Sequence, residues 1–296
     1  MVLIDELECT LCLVESRLRQ LARSGLTEDK IKKFFKALAE LDLSNRTVAF
    51  AKSYEIVLQL CNQDDIYSNH KSELRERFLN IVKPLLNLDI DISRAVKWAA
   101  NANLLDVEMP HYRPDLSKVL ETLDQEPHIL SSRDPVSDMY RADHVLYVLD
   151  NVGEHLVDLV LVRALVNAGK DVTLLVRELP YEIDITYREL LQDLELLDLH
   201  NKVRVRVSSG RLPPILSIKE FDTNTLVISK GIANFEAYLN FYNELRQHKI
   251  MFMLTIKCKP LSKLFNVPLG KSIILSSDFL NKLLSETIKC KEQASR

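Results

Sequence analysis

Residues 145–169 have the sequence VLYVLDNVGEHLVDLVLVRALVNAG, in which a strand pattern, a short polar turn and a helix pattern follow one another. The β-rich apolar run Val145–Leu149 ends abruptly at Asp150 and Asn151, and the helix pattern stops at Gly169. A strand that ends in a carboxylate and an amide just before a helix is typical of the ligand-binding edge of an open α/β sheet. The pattern therefore predicts such an edge at Asp150 and Asn151.

The rest of the second half of the chain alternates between strand and helix patterns. Further apolar strands are predicted at Val172–Val176, Val203–Val207, Leu226–Ile228, Met251–Ile256 and Ser272–Leu275. Helix patterns at 154–168, 187–197 and 235–247 separate several of them. This alternation predicts an α/β fold whose sheet is mainly parallel, with helices on both faces and right-handed crossovers.

The first part of the chain, from residue 1 to about 109, shows helical periodicity and no strand alternation, which predicts about five helices. We therefore expect two domains. An all-helical domain at residues 1–115 covers the site, and its loops roof the pocket. An α/β domain at residues 116–296 carries the site.

Composition limits the classes of protein that the chain can belong to. Its 296 residues are 47% hydrophobic and 27% charged, as in ordinary globular proteins, and the net charge of −3 argues against a dedicated nucleic-acid binder. No run is long and apolar enough for a membrane span, and the first residues do not form a signal peptide. Five cysteines, an odd number, suit a reducing compartment. We expect a cytoplasmic protein, a monomer or small homo-oligomer, that binds neither nucleic acid nor membrane.

Polar residues at the ends of the first two predicted strands favour a cation site. Asp184 follows the second strand, which is expected to neighbour the first, so that it could approach Asp150. Two aspartates with the amide oxygen of Asn151 form a hard set of oxygen ligands, suited to Mg²⁺ or Mn²⁺. The alternative is that Asp184 or Thr186 only caps the next helix.

A purely structural role explains one of the two acidic residues on the first predicted helix better than the other. Glu154 and Asp158 lie four residues apart on one helix face. Glu154 is in the first turn, where the helix N-terminus favours a carboxylate. Asp158 lies deeper in an otherwise apolar helix, which favours a functional role.

Lysines at two other strand ends favour an anionic substrate. Lys230 precedes Gly231 and a predicted helix start, where free backbone N–H groups favour anions. Lys257 follows the fifth strand. Each lysine could simply be solvated, but together with the acidic loops they indicate a phosphorylated substrate.

Two features of the helical region leave alternatives open. Cys9 and Cys12 form a CxxC motif, which could be half of a zinc site, a redox pair, or two small residues packed one turn apart. Asn103 and Asp106 could face a functional space at the end of a helix, or the asparagine could only cap that helix.

Other common sites are excluded by their missing motifs. The loop after the first strand has one glycine, whereas a dinucleotide fold requires GxGxxG there. The P-loop, the HExxH motif and a Ser-His-Asp arrangement are also absent from the sequence.

Several motifs, taken in order, resemble a known family. They are CxxC at 9–12, NANLLD at 101–106, DNVGE at 150–154 followed by Asp158, PxxxDxT at 180–186, KGIANFE at 230–236 and IKCKP at 256–260. The chain is similar to the metal-dependent damage-control phosphatases, once catalogued as domain of unknown function 89, and looks closest to the microbial, cysteine-bearing branch.

The resemblance implies a helical N-terminal region packed against a Rossmann-like α/β domain. It also implies phosphatase activity on small phosphorylated metabolites, either sugar phosphates or damaged and side-product metabolites, with Mn²⁺, Mg²⁺, Co²⁺ or Ni²⁺ as cofactor. By resemblance, Asp150, Asn151 and Asp184 hold the metal, and Lys230 and Asn234 contact phosphate or substrate.

The resulting hypothesis is a phosphomonoester hydrolase in which a metal-activated water attacks the phosphoryl group. Either Asp158 or Glu154 would orient that water, and the N–H groups of the Gly153 and Gly231 turns would help Lys230 and Lys257 to neutralise the phosphoryl oxygens. The expected substrate contacts are Lys230, Asn234, Glu236, Lys257, Asn103 and Asp106.

Two other functions stay open. One is a non-catalytic module of the same fold that binds a metabolite or a protein. The other is an S-adenosylmethionine-dependent carboxyl methyltransferase, an activity proposed for a eukaryotic relative. Residue patterns leave undecided the substrate, the preferred metal, and attack by water as against a covalent aspartyl-phosphate.

Overall fold

The computed structural model describes residues 6–85, 88, 90–105 and 119–294. Thirteen α-helices in this part of the chain are α1 (Glu6–Arg23), α2 (Glu28–Ala39), α3 (Arg46–Cys61), α4 (Ser68–Leu85), α5 (Ile92–Ala102), α6 (Val119–Leu123), α7 (Pro135–Arg141), α8 (Glu154–Asn167), α9 (Tyr187–Leu196), α10 (Ile232–Asn240), α11 (Tyr242–Leu245), α12 (Lys259–Phe265) and α13 (Ser277–Ala294). Short 3₁₀ helices span Asn103–Leu105 and Pro214–Glu220.

The central sheet has seven strands, in agreement with the predicted α/β class. They are β1 (His128–Leu130), β2 (His144–Val148), β3 (Asp171–Arg177), β4 (Arg204–Ser208), β5 (Leu226–Lys230), β6 (Lys249–Thr255) and β7 (Ser272–Ser276). Their spatial order is β1-β7-β6-β5-β2-β3-β4. All neighbours pair in parallel except β6 and β7, so the sheet is mainly parallel as expected.

The direction in which strands are added reverses between β2 and β5. The chain runs from β2 outward to β3 and β4, and later from β5 outward to β6 and β7 on the other side. Tyr147 of β2 lies opposite Leu174 of β3 and Ile228 of β5. Because the two halves wind in opposite directions, a crevice opens at the carboxyl ends of β2 and β5, where open α/β sheets bind ligands.

Alternate residues of β2 face two separate cores, which explains why the strand is apolar throughout. Val145 and Tyr147 belong to a buried cluster with Leu156 of α8, whereas Leu146 and Val148 belong to a cluster on the other face. That second cluster includes side chains of α10, α12 and α13. A strand covered on both faces has no polar face. Helices on both faces of the sheet are therefore confirmed.

The described part of the first 105 residues contains five α-helices, as predicted. Trp98 of α5 and Phe78 of α4 are buried in the same cluster as α8, so these helices share a core with one face of the sheet. The division into domains at residues 115 and 116 falls outside the described residues and stays a prediction.

The structure differs from the sequence predictions in several elements. β1 was not predicted, because only three residues form it and two of them are exposed. The short helices α7 and α12 and the 3₁₀ helix Pro214–Glu220 were also not predicted. The helix predicted at 235–247 is two helices, α10 and α11, with a break at Phe241. Gly169 does end α8, with a φ of +78° that favours glycine.

Within the described residues, no helix is both long enough and apolar enough to cross a membrane.

Candidate active site

The loops after β2 and β3 are joined by backbone hydrogen bonds. The Ile185 N–H donates to the Asp150 carbonyl at 2.8 Å, and the Val152 N–H donates to the Ile183 carbonyl at 2.8 Å. Between these bonds, Asn151 and Asp184 form an antiparallel bridge. Directly opposed residues in such a pair have α-carbons about 4.5–5.5 Å apart and side chains on one face. The two loops therefore lie side by side, with Asp184 opposite Asn151; that the Asp184 and Asp150 carboxylates share one ligand stays a prediction.

Asp184 is not a helix cap. Thr186 is the N-cap of α9, in a capping box with Glu189, whose carboxylate accepts from the Thr186 N–H at 2.9 Å. The Asp184 carboxylate instead pairs with the Nε of Arg177, the last residue of β3. Burial raises the pKa of Asp184, and the Arg177 charge opposes that rise. Arg177 also stacks over the Tyr181 ring, 4.4 Å from its centre.

The Asp150 carboxylate lies against the backbone of Gly231. A β-carbon built on Gly231 would be 1.8 Å from Asp150 Oδ2, and Gly231 has a φ of +78°. Asn151 Nδ2 donates to the same oxygen at 3.3 Å. Gly231 is the N-cap of α10 and, as a glycine, has no side chain with which to cap this helix. The carboxylate is therefore held at the N-terminus of α10 in the crevice between β2 and β5.

Lys230 is part of a fully buried ion pair with Asp158. Its Nζ is 2.7 Å from Asp158 Oδ1, donates to the Ala99 carbonyl at 2.7 Å, and lies 3.8 Å from Glu154 Oε1. The Tyr147 hydroxyl also donates to Asp158 Oδ1, at 2.8 Å. Burial raises the pKa of Asp158, although Lys230 opposes this. Burial alone would lower the pKa of Lys230. The carboxylates of Asp158 and Glu154 have the larger combined effect, so the pKa of Lys230 is raised.

Two asparagines predicted as site residues, Asn103 and Asn234, each form hydrogen bonds that connect different segments of the site. Asn103 Nδ2 donates to Glu154 Oε2 at 2.9 Å, and Asn103 Oδ1 accepts from the Thr255 N–H at 3.0 Å. Its side chain therefore does not cap α5. Asn234 Oδ1 accepts from the Ile215 N–H at 3.1 Å, and its Nδ2 donates to the Lys230 carbonyl at 2.9 Å.

The N–H groups of the two turn glycines themselves are occupied within the protein, so any phosphate contact would fall to other N–H groups of these turns, which stays a prediction. The Gly153 N–H donates to His155 Nδ1 at 3.1 Å, and the Gly231 N–H donates to the Met253 carbonyl at 3.1 Å. The first-turn N–H groups of a helix have no partner within the helix. Ile232 and Ala233, at the start of α10, line a cavity beside Asp150.

A cavity of about 640 Å³ opens beside Asp150. Six of the site residues predicted from the sequence line this cavity: Asp150, Asn151, Asp184, Asn103, Lys257 and Glu236. Glu154, Asp158, Lys230 and Asn234 are buried behind these walls, and Asp106 lies outside the described residues. From the described part of the helical region, side chains of the helices α1 and α3, such as Cys12 and Phe50, line the cavity, rather than the loops that were expected there.

Sequence reasoning missed a buried network behind the Asp150 loop. His155 Nε2 lies 2.9 Å from Asp193 Oδ2, and Arg75 Nη2 lies 2.6 Å from Asp193 Oδ1. An imidazole that accepts from the Gly153 N–H at Nδ1 carries its proton at Nε2, so His155 donates to Asp193. The network fixes the Gly153 turn. Its one sequence signal is a histidine and an aspartate inside apolar helix patterns.

The three cysteines at the cavity are protonated thiols. Burial, with a contribution from Glu236, raises the pKa of Cys9 to about 12 and raises that of Cys12. Burial also raises the pKa of Cys258 to about 12. The described residues contain no group of three His, Cys, Asp or Glu side chains placed to hold a metal ion, which gives the zinc interpretation of Cys9 and Cys12 no support. The oxygen donors at the Asp150 end are two carboxylates and one amide.

Comparison with known proteins finds the same family along most of the chain. The sequence profile of the damage-control phosphatase ARMT1-like domain matches residues 6–273. Uncharacterized protein MJ0202 of Methanocaldococcus jannaschii is 25% identical over 292 residues, covering 90% of this chain and 94% of that protein. Damage-control phosphatase PH1575 of Pyrococcus horikoshii is 29% identical over 230 residues, covering 73% of this chain and 76% of that protein.

A solved structure has the same fold. The crystal structure of the DUF89 family protein PH1575 from Pyrococcus horikoshii aligns with a TM-score of 0.72 at 22% identity, over 91% of this chain and 98% of that chain. The profile match extends from α1 to β7 and includes every loop that forms the cavity. On this evidence, the chain belongs to the family of damage-control phosphatases with an ARMT1-like domain.

Proposed function

We propose that the protein is a metal-dependent phosphatase that hydrolyses phosphate monoesters of small metabolites. The observation that carries the proposal is the position of the Asp150 carboxylate. It lies in the crevice between β2 and β5, against the N-terminus of α10 and beside Asn151, while Asp184 is bridged to the same loop. All three side chains line one cavity.

The donors at this end of the cavity fit a hard divalent cation. Asp150, Asn151 and Asp184 supply oxygen atoms, which Mg²⁺ and Mn²⁺ prefer, and too few of them to exclude water from the ion. When bound, such a cation would polarise a phosphoryl oxygen and lower the pKa of a water molecule. We propose Mn²⁺, Mg²⁺, Co²⁺ or Ni²⁺ as the cofactor and these three residues as its ligands.

Other residues of the chain would bind and orient the phosphate ester. Lys257 is nearly buried in the cavity wall, where a cation can offset charge on the phosphoryl oxygens. The N-terminus of α10, which begins after Gly231, favours negative charge in the same place. Glu154 does not line the cavity, but it accepts a hydrogen bond from Asn103, which does. Glu154 would therefore act on bound groups by fixing the position of Asn103.

The other site residues predicted from the sequence would have supporting roles. Asn234 and Lys230 would hold the start of α10 in place, with Asp158 as the partner of the lysine. Glu236 would contact the substrate from the cavity wall. We also propose a cytoplasmic location, which the cysteine content favours, and a monomer or small homo-oligomer.

Two isosteric variants test the proposed metal site. Asp150→Asn and Asp184→Asn should each reduce Mn²⁺-stimulated hydrolysis of p-nitrophenyl phosphate by about 100-fold or more, because each removes a charged ligand. Asp143→Asn, at the exposed other end of β2, is the matched control and should keep wild-type turnover. Circular dichroism establishes that the variants are folded.

Calorimetry with Mn²⁺ separates the alternatives. Weaker Mn²⁺ binding in the two variants, with wild-type binding in the control, supports the assignment. Wild-type turnover in both variants would refute it. Absence of both Mn²⁺ binding and turnover in the wild type would instead identify a non-catalytic binding module, and metal-independent binding of S-adenosylmethionine would identify a methyltransferase.

A further inference from the structure

We propose that the substrate carries an uncharged apolar arm next to its phosphate, and that this arm packs against the apolar wall of the cavity, to which α1, α3, α10 and α12 contribute. The inference rests on the proposed function for the place of the phosphate, at the Asp150 end. It names a class of substrate that is distinct from sugar phosphates.

The first support is the apolar character of this wall. The apolar side chains that line it are those of Leu11, Phe50, Ala51, Ile232, Pro260 and Leu269. Leu11 is 61% exposed and Leu269 is 52% exposed, although both are large apolar side chains. Large apolar surface beside a cavity of this size is typical of a small-molecule site that takes an apolar group.

The second support is that polar side chains of the wall already have partners within the protein. Thr47 Oγ1 accepts from Asn240 Nδ2 at 2.7 Å. Glu182 pairs with the buried Arg17 at 2.5 Å, and Arg211 Nε donates to the Pro180 carbonyl at 3.0 Å. Groups that are bound in this way are poor partners for the hydroxyls of a sugar.

The third support comes from the thiols and the acids. Cys9, Cys12 and Cys258 stay protonated, and a protonated thiol packs as a small apolar group. Glu15 and Glu236 also border the cavity, so that a second anionic group on the arm would meet carboxylates. A sugar hydroxyl placed against the apolar side chains would lose hydration without replacing it, whereas an alkyl or aryl group would not.

Alkylphosphonates test the arm separately from catalysis, because the carbon–phosphorus bond cannot be hydrolysed as an ester. We would measure the Kd of ethyl-, butyl- and hexylphosphonate by calorimetry with Mn²⁺ present, and compare them with glycerol 1-phosphate. If the arm is buried against the wall, Kd should fall about fourfold with each added methylene. A flat series, no binding, or tighter binding of glycerol 1-phosphate than of hexylphosphonate would overturn the inference.

A pair of leucines on α1 provides matched variants. Leu11→Asn places an amide in the wall and should reduce the dependence of Kd on chain length. Leu7→Asn makes the same change one turn earlier, at a side chain that is 70% exposed and is not among the described residues lining the cavity. It should keep the wild-type series. Equal series in the two variants would show that the arm does not contact this wall.

Hydrolysis of p-nitrophenyl phosphate reports on the proposed function independently. If turnover depends on Mn²⁺ but the phosphonate series is flat, only the apolar arm is refuted. If the series has the expected slope but no phosphate ester is hydrolysed, the phosphatase assignment fails while the apolar subsite stands. Phe50→Ala should reduce the slope further than Leu11→Asn, and Phe35→Ala, an exposed position on α2, is its control.

Discussion

The Asp150 carboxylate rests on the α-carbon of Gly231, so closely that a β-carbon at residue 231 would lie 1.8 Å from Oδ2 and 2.3 Å from Cγ. The two residues follow β2 and β5, the neighbouring strands between which the sheet changes its winding direction. A glycine is therefore required at 231 for two reasons, its positive φ and the space that Asp150 occupies.

Gly231→Ala should abolish phosphatase activity because the new methyl group must displace the Asp150 carboxylate. We expect at least about a 100-fold loss of kcat/KM, as for a displaced catalytic group. Gly169→Ala is a matched control, since Gly169 has the same φ of +78° and nothing within 4 Å of its built β-carbon. The control should lose about 1–2 kcal/mol of unfolding free energy from backbone strain and keep its activity. Equal activities in the two variants would contradict the assignment of Asp150.

Alternation of apolar strands and helices was sufficient to predict the sheet, its mainly parallel character and the meeting of the two loops that carry Asp150 and Asp184. That meeting follows from one rule, that neighbouring parallel strands end at the same edge. The partners of Lys230 were not predictable in this way. Its Nζ binds Asp158, from the second turn of α8, and the carbonyl of Ala99, more than a hundred residues earlier in the chain. Spacing at a strand end does not reveal whether a lysine points to solvent or beneath its own loop.

The hydrogen-bond partners of the turn glycines and of His155 could not be predicted from the sequence for the same reason. A glycine in the sequence indicates backbone freedom, but not which acceptor its N–H will find. The Gly153 N–H donates to His155, and the contact of His155 with Asp193 is made by helices packed in three dimensions. Such contacts carry no periodic signal, because only the packing of α4, α8 and α9 brings Arg75, His155 and Asp193 together.

Asp193→Asn should destabilise the protein by about 1.5–3 kcal/mol at pH 7, through loss of charged hydrogen bonds to His155 and Arg75. Burial would raise the pKa of Asp193, but these two partners outweigh it and lower the pKa. Because the folded pKa lies below the unfolded one, the stabilisation is complete above about pH 4 and is lost as the pH falls through the folded value.

The difference in unfolding free energy between wild type and Asp193→Asn should therefore shrink from pH 7 to pH 3.5 in urea titrations. Asp198→Asn is the control. Asp198 also has a lowered pKa, through its hydrogen bond to Lys202, but the pair is exposed and should add no measurable stability. A difference for Asp193→Asn that does not change with pH would show that its charge is unimportant.

His248→Leu should remove part of the acid sensitivity of the fold. His248 is buried, and neither ring nitrogen has a hydrogen-bond partner among the described residues. Burial lowers its pKa, so the folded state binds a proton less readily than the unfolded state, and stability is lost as the pH falls below about 6.5. The variant should be within about 1 kcal/mol of wild type at pH 7.5 and gain relative to it at pH 5.5. His200→Leu, at an exposed position, should show no such gain in the same urea titrations.

Lys230→Met should unfold more easily rather than only lose substrate affinity, because it leaves the Asp158 carboxylate buried without its ammonium partner. Breaking a buried pair in this way costs about 3–5 kcal/mol. Asp158→Asn should cost less, since Glu154 remains 3.8 Å from the lysine. The double variant removes both charges and keeps an acceptor for the Tyr147 hydroxyl, so it should recover at least half of the loss caused by Lys230→Met. Urea titrations of the four proteins measure this coupling. If Lys230→Met keeps full stability and loses only activity, the lysine contacts the substrate, and the buried pair with Asp158 is not what holds it in place.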